Sequence, residues 1–355
     1  MQKAALRLAW TCSLCLSAAS FANPVKAQPN DAPPRLTLQS KILGEERSLL
    51  VSTPERYTTS NDRYPVFYLT DGKAHFEHTA ATVQFLADAG RIPQMLVVGI
   101  PNTDRNRDLT PSRAGIARRD GSQSKYPTSG GADDFLEFFS TELIPFIDST
   151  YRTQPYRILA GHSFGGLLVV HTLATRPELF DAYIAASPAL PWDDHLVVRA
   201  MESRLGQDKD LDTTFVLTVG DEPRLQASYE RFVAVLESAK RPAFRWRTRQ
   251  FPDENHRSVL LLSHYFGLRE IFAGWLLPRD ESTGAVAGGF EALRTHYAGL
   301  TERYGYPVPA PERLISRLGY QALSSGDVTG AVAVFRYSLA QHPESARSHA
   351  SLGEA

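Results

Sequence analysis

The stretch Tyr156-Arg-Ile-Leu-Ala-Gly-His-Ser-Phe-Gly-Gly-Leu167 decides the fold. Tyr156 to Ala160 reads as a short strand, with apolar mass from Ile158 and Leu159. Gly161 to Gly165 follows in the pattern Gly-x-Ser-x-Gly. Leu167 to Leu173 is then an apolar run without Pro or Gly, suited to a buried helix. Strand, tight turn and helix form the context of a nucleophile elbow. Such a turn demands small residues, because a Cβ at 161 or 165 would collide with the neighbouring strand and helix. It sets the Ser163 hydroxyl at the carboxyl edge of the sheet and aims the Phe164 N–H at an oxyanion forming there. Outside that context the pattern is a glycine-rich turn with an incidental serine, common by chance.

Working outward, Pro65 to Leu69 and Met95 to Ile100 are compact apolar runs, and Phe76 to Leu86 between them has helical character. Strand, helix and strand with continuous apolar strands predict a parallel sheet buried on both faces. Arg35 to Ser52 alternates and predicts opening strands, with a hairpin turn at Gly44-Glu45. Asp133 to Ser149 predicts a helix whose apolar face carries Phe139, Leu143, Phe146 and Ile147, with Asp133 and Asp134 at its positive end. Ala182 to Ala186, Thr214 to Val219 and Arg245 to Phe251 read as strands, and Tyr229 to Ala239 and Leu260 to Leu276 as helices. The alternation from residue 35 to about 277 describes a doubly wound α/β domain with a mostly parallel sheet.

A length of 355 residues fits one large α/β domain plus something small. A formal net charge of −1 gives no sign of a nucleic-acid partner. Residues 1–27 read as a secretory signal: Lys3 and Arg7 are basic, Leu8 to Ala19 is apolar or small and too short to span a bilayer, and cleavage fits after Ala22 or Ala27. Removing them takes Lys3, Arg7 and Lys26 and no acid, leaving 35 basic against 39 acidic side chains, a charge of −4. Cys12 and Cys15 go too, so a mature chain has no disulfide and no thiol nucleophile. The expected location is the periplasm or the exterior, with no stable membrane insertion.

The composition changes at Pro278 to Gly289, rich in Pro, Gly, Ser and Ala. The expected organisation is a main domain over 28–280, a linker and helix over 281–310, and a helical tail over 311–355. In the tail, Leu318-Gly319 recurs at Leu352-Gly353, a spacing of 34, and Ala331, Phe335 and Pro343 fall where the 34-residue two-helix repeat places small, aromatic and terminating residues. The tail resembles a tetratricopeptide unit. One unit cannot bury both of its faces, so the tail must pack on the main domain or on another chain, by self-association or with a partner.

An elbow serine needs a base and a group to orient that base, in the chain order Ser, acid, His. His256 stands in Phe251-Pro-Asp-Glu-Asn-His-Arg-Ser-Val259, a polar loop directly after a strand, and can reach Ser163 from the same sheet edge. His171 sits on the elbow helix and reads as structural; His195, His264 and His296 are weaker alternatives. Thr214 to Val219 ends in Gly220-Asp221-Glu222-Pro223, so Glu222, with Asp221 as the alternative acid, can hold the histidine tautomer. The turn Thr70-Asp71-Gly72-Lys73 after the Pro65–Leu69 strand can present the Lys73 N–H beside that of Phe164. The chemistry requires no metal and no cofactor. His75 and His78 lack a matching third ligand and read as surface or pocket-edge residues. Asn102 to Gly131 is a long polar loop at this edge, expected to wall the site.

These pieces together resemble the putative-esterase family of α/β hydrolases, which includes enterochelin esterases, esterase D, feruloyl and acetylxylan esterases and mycolyltransferases. The matching residues are Tyr68-Leu-Thr-Asp-Gly72, Arg107-Asp-Leu-Thr-Pro111, Ser129-Gly-Gly-Ala-Asp-Asp-Phe135, Gly161-His-Ser-Phe-Gly-Gly166, Ser187-Pro188 with Trp192-Asp193, and Glu254-Asn-His-Arg-Ser-Val259. They span 35 to 277. The resemblance implies an α/β-hydrolase fold with Ser163 as nucleophile, His256 as base and the amides of Phe164 and Lys73 as oxyanion hole. It implies that Trp192 walls the acyl or alcohol pocket, with Asp71 and His162 from the matched motifs beside it. Relatives near the siderophore esterases work with a weak or displaced acid. The histidine motif often continues with Gly; here Arg257 sets a cation beside the base and favours an anionic substrate.

The implied activity is carboxylic-ester hydrolysis through an acyl-enzyme, on siderophore-type or other small esters. A carbohydrate-side-chain esterase or an acyltransferase on the same scaffold is one alternative. A non-catalytic module that binds a partner through its tail is another. Arg105, Arg107, Arg113, Arg118 and Arg119 crowd the long loop and read first as a solvated surface; facing the site, they would suit an acidic substrate.

Overall fold

The computed structural model describes residues 35–113, 125–207, 211–239 and 242–355. The expected signal peptide, Arg118 and Arg119 lie outside them. The chain runs β1 (Arg35–Ser40), β2 (Glu45–Ser52), β3 (Tyr64–Leu69), α1 (Gly72–Asp88), β4 (Leu96–Gly99), a short α2 (Arg105–Leu109), α3 (Ala132–Phe138), α4 (Ile144–Thr150), β5 (Thr153–His162), α5 (Phe164–Thr175), β6 (Ala182–Ala186), α6 (Trp192–Gly206), β7 (Thr213–Gly220), α7 (Pro223–Ser238), β8 (Phe244–Phe251) and α8 (Val259–Ile271). Then come α9 (Gly289–Tyr304), α10 (Glu312–Ser324), α11 (Val328–Gln341) and α12 (Ala346–Glu354). This is the α/β-hydrolase architecture with a helical C-terminal segment.

One sheet takes the strands in the order β1-β2-β4-β3-β5-β6-β7-β8. The β1/β2 and β2/β4 pairs are antiparallel and the rest are parallel. β5 is flanked by β3 and β6, which explains why its second half, Ile158 to Ala160, is continuously apolar rather than alternating. Successive side chains point to opposite faces. Tyr68, Leu159, Tyr183, Phe215 and Leu217 enter the layer with α3 to α7. Phe67, Ile158, Ile184 and Val216 enter the layer with α1, α8 and part of α9. α5 is buried around its circumference from Gly165 to Ala174, as its unbroken apolar run predicts.

Several elements differ from the sequence expectation. The helix expected over Asp133 to Ser149 is divided by a π turn, Phe139–Leu143. Pro145 follows it, lacks an N–H and needs room at the carbonyl four residues back, which the wider turn supplies. The helix expected to reach Leu276 ends at Ile271, and the chain turns through Gly274 at φ 85°. Trp192 to His195, to which the sequence assigns no element, open α6 with Asp193, Asp194 and His195 all left-handed, at φ 45°, 50° and 61°.

The long loop is anchored by charge. Arg47 and Asp108 are both fully buried and bond at 2.6 Å. Arg107 bonds Asp108 and Glu45, so it serves this network instead of the cavity described below. Asp108→Ala leaves Arg47 buried without its closest counter-charge, and is expected to cost about 3–5 kcal/mol in a urea unfolding curve. A loss below about 1 kcal/mol would mean that Glu45 alone compensates Arg47.

The tail has a packing partner within the chain. Leu314, Ile315 and Val334 share one apolar cluster with Leu277, Val286 and Leu293. α10 meets α11 closely at Gly319, where a Cβ would lie 2.3 Å from the Phe335 ring. Among the described residues no helix is long and apolar enough to cross a membrane.

Candidate active site

The parallel strands end side by side, and each end delivers one part of a single site. Register pairs Leu69 with Ala160, His162 with Ala186, Ala186 with Thr218, and Gly220 with Phe251. The segments that follow carry Asp71 to Lys73, Ser163, Ser187, Glu222 and His256, on the carboxyl edge where open α/β sheets bind ligands.

The elbow has the geometry its glycines permit. Ser163 sits at φ 59° and ψ −112°, a sparsely populated region for a non-glycine residue. A Cβ at position 161 would lie 2.3 Å from the carbonyl of Gly165, and one at 165 would lie 2.2 Å from Thr70 Oγ1. The turn is pinned by Ser163 N–H to Ala186 O (3.0 Å) and by Leu167 and Ala189 N–H groups to Ser163 O (2.9 and 3.1 Å). Phe164 opens α5, and Lys73 is the second residue of α1. The first N–H groups of a helix have no intrahelical acceptor and carry the positive end of its dipole. Both residues therefore own an amide free to meet an anion.

On the far side, the His256 loop is drawn onto the end of β7. Asp221 N–H bonds Glu254 O at 2.6 Å, and a Cβ on Gly220 would lie 2.5 Å from the same oxygen. That close approach carries His256 to Glu222. His256 Nδ1–H donates to Glu222 Oε2 at 2.5 Å, and Ser187 Oγ–H donates to Oε1 at 2.5 Å. Burial pushes the Glu222 carboxyl up, but the His256 and Ser187 bonds, the His256 charge and the Gly220 N–H outweigh it and hold it below its ordinary value. With its proton on Nδ1, His256 has Nε2 free to accept another. Asp221 is exposed and meets this loop through its main chain, so of the two acids named from sequence the structure sets only Glu222 against the histidine.

A cavity of about 790 Å³ opens here, lined by Ser163 and His256 together with Asp71, Lys73, Ala74, His75, Asn102, Arg105, His162 and Arg257. Among the described residues Ser163 and His256 line it without bonding each other; such contacts are often loose before substrate arrives. Asp71, at φ 55°, accepts from Arg105 Nε (2.6 Å) and Nη2 (3.0 Å) and from Asn102 (2.5 Å). Arg105 also reaches His162 O at 3.4 Å and lies over the Phe164 ring. Lys73 and Arg257 are exposed on the cavity wall with no ion-pair partner among the described residues. The wall is therefore cationic.

Trp192 does not line this cavity, contrary to expectation. Its ring is buried against Phe164 (5.2 Å) and Tyr126 (5.4 Å), and its N–H donates to Ser112 Oγ. The segment after β6 passes beneath the elbow helix, with Pro188 against Gly166, and carries Trp192 behind Phe164. His162 lines the cavity, but its Nε2–H is already given to the His256 carbonyl (2.6 Å). The other histidines are engaged elsewhere: His171 with Asp133, His195 with Ser228, His264 with Thr79 and His296 with the Trp275 carbonyl. His75 lines the cavity and faces His78 across 3.4 Å. Among the described residues no group of three or more His, Cys, Asp or Glu could hold a metal ion. Sequence reasoning missed Ser187 as a second donor to Glu222 and the Asp71–Arg105–Asn102 cluster. Ser187-Pro188 was visible as a motif, but a serine after a strand carries no chemical signature.

The family model described as Putative esterase matches residues 40–259. The chain is 29% identical over 222 residues to the ferri-bacillibactin esterase BesA of Bacillus subtilis, covering 56% of this chain and 75% of that protein. It is 33% identical over 151 residues to the siderophore enterobactin esterase of Emericella nidulans, covering 37% of this chain and 48% of that protein. A solved IroE-like serine hydrolase from Shewanella oneidensis superposes with a TM-score of 0.73 at 28% identity, covering 86% of this chain and 98% of that one.

Proposed function

The chain belongs to the Putative esterase family, and from that premise we propose that this esterase cleaves small anionic esters through an acyl-enzyme on Ser163. The observation that carries the proposal is the Glu222–His256 hydrogen bond, with His256 and Ser163 lining the same cavity. His256 Nε2 takes the Ser163 proton as Oγ attacks the ester carbonyl, and the Phe164 and Lys73 N–H groups receive the oxyanion. His256 then protonates the leaving alkoxide. Water repeats the cycle on the acyl-enzyme and frees Ser163. Glu222 stays ionised throughout and stabilises the imidazolium.

The cationic wall supports the anionic part of the reading, and Lys73 and Arg257 are its free charges. Relatives named for siderophore esters point the same way. A ferric catecholate ester is the substrate class we favour, and we propose that the chain is exported. The test is twofold. A fluorophosphonate probe should label the peptide containing Ser163, one adduct per chain by mass spectrometry. The kcat/KM for a carboxylate-bearing aryl ester should fall as salt is raised, while that for its neutral analogue stays level. No adduct on Ser163 would sink the acyl-enzyme. Equal salt profiles would sink the anionic substrate alone.

A further inference from the structure

His162 precedes the nucleophile in sequence, and its side chain is committed to the base. Its Nε2–H meets the carbonyl of His256 at 2.6 Å, across 94 residues of chain. The two imidazole rings lie 4.5 Å apart, tilted by 43°. The His162 carbonyl in turn accepts from Arg105, which is paired with Asp71. His256 thus has two handles: Glu222 holds its ring, and His162 holds its backbone. The second handle acts where the first does not, on the main chain of His256. His256 lies on a polar loop after β8 that the Asp221 N–H to Glu254 O bond holds two residues earlier; its side chain is 42% exposed, so the Glu222 bond to its ring and the His162 bond to its carbonyl are what fix His256 itself.

We propose that His162 is a positioning residue that locks the loop of His256 to the elbow and so sets the base against Ser163. This rests on the acyl-enzyme reading and adds a role to it. The residue type follows from the task. Only a donor can meet a carbonyl, and the gap beside the elbow strand is spanned by a rigid ring. The ring must also be neutral, because His256 becomes cationic during acyl transfer and a lysine or arginine donor would oppose that charge. Burial first, and then the His256 charge, push His162 down to about 4, so it carries one proton at neutral pH, and the carbonyl places that proton on Nε2.

The experiment is a double-mutant cycle on the full chain with a p-nitrophenyl ester. His162→Ala is expected to lower kcat by about 10²-fold with KM unchanged. His162→Gln, whose amide N–H can reach the same carbonyl, recovers most of the loss. In the His256→Ala background, adding His162→Ala is expected to cost nothing further, because residues that act as a unit are not additive. An equal loss in both backgrounds, a rise in KM, or full activity in His162→Ala would each overturn the proposal. Should His162→Ala fail to fold by circular dichroism, His162→Leu fills the volume without a donor and answers the same question. A His256→Ala protein with undiminished activity would instead strike at the acyl-enzyme reading itself.

Discussion

Ser163→Ala is expected to lower kcat on the order of 10⁶-fold and leave KM and the melting temperature nearly unchanged. Oγ is the one atom lost, and among the described residues it bonds nothing in the resting site. The strained backbone at φ 59° is held by main-chain bonds from Leu167 and Ala189 and to Ala186, none of which uses the hydroxyl. Alanine at that φ carries the same Cβ strain as serine, so stability should not move. His256→Ala should cost a similar factor, and the double variant little more, because the two act as one unit. What should survive is substrate binding and the proposed oxyanion hole at the Phe164 and Lys73 N–H groups, together worth roughly 10³–10⁴ over the uncatalysed reaction. Steady-state turnover with stopped-flow burst analysis reads all of this. A Ser163→Ala protein that still shows a pre-steady-state burst would place the acyl group on another side chain and end the present assignment.

The fold and much of the site were legible in the sequence for a physical reason. A strand buried on both faces must be apolar along its length, and a serine on a tight turn must be flanked by residues without a side chain. Both requirements leave marks in a single sequence, and the second half of β5 with Gly161, Ser163 and Gly165 carries them. Glu222 and His256 were legible because each follows a strand, and parallel strands end at one edge. Other features left no mark. Nothing in the letters Asp193, Asp194 and His195 announces three left-handed residues, so α6 went unread. Trp192 was expected at the pocket from the resemblance alone; its actual place, against Phe164 and Tyr126, depends on how the segment after β6 passes under α5. Arg105 and Arg107 look alike in sequence, yet one clamps Asp71 at the cavity and the other pairs with Glu45 and Asp108. Which arginine meets which acid is a property of the folded chain.

Glu222→Gln is expected to lower kcat by about 10⁴-fold near neutral pH with little change in KM. The carboxylate accepts from three donors at once, His256 Nδ1–H on one oxygen and Ser187 Oγ–H and the Gly220 N–H on the other. An amide offers one acceptor and one donor on the same frame. Facing its oxygen to His256 turns the NH₂ against Ser187, whose hydroxyl can rotate to accept, and against the Gly220 N–H, which cannot. Facing the NH₂ to His256 forces the imidazole to put its proton on Nε2, where it can no longer take one from Ser163. Either way the negative charge that stabilises the imidazolium is gone. Ser187→Ala should have a smaller effect of the same kind, since it removes one donor and keeps the charge. Acid stability gives an independent reading. The Glu222 carboxyl is held below its ordinary 4.5, so its contribution to folding is present above that pH and is lost as pH falls through the lower, native value. Glu222→Gln has no such contribution to lose. Its melting temperature should therefore drop less than the parent's on acidification from about pH 5 to pH 3. Wild-type turnover in Glu222→Gln would mean that Ser163 and His256 suffice as a dyad. In that case the 2.5 Å bond serves to hold the histidine loop and contributes no charge to catalysis.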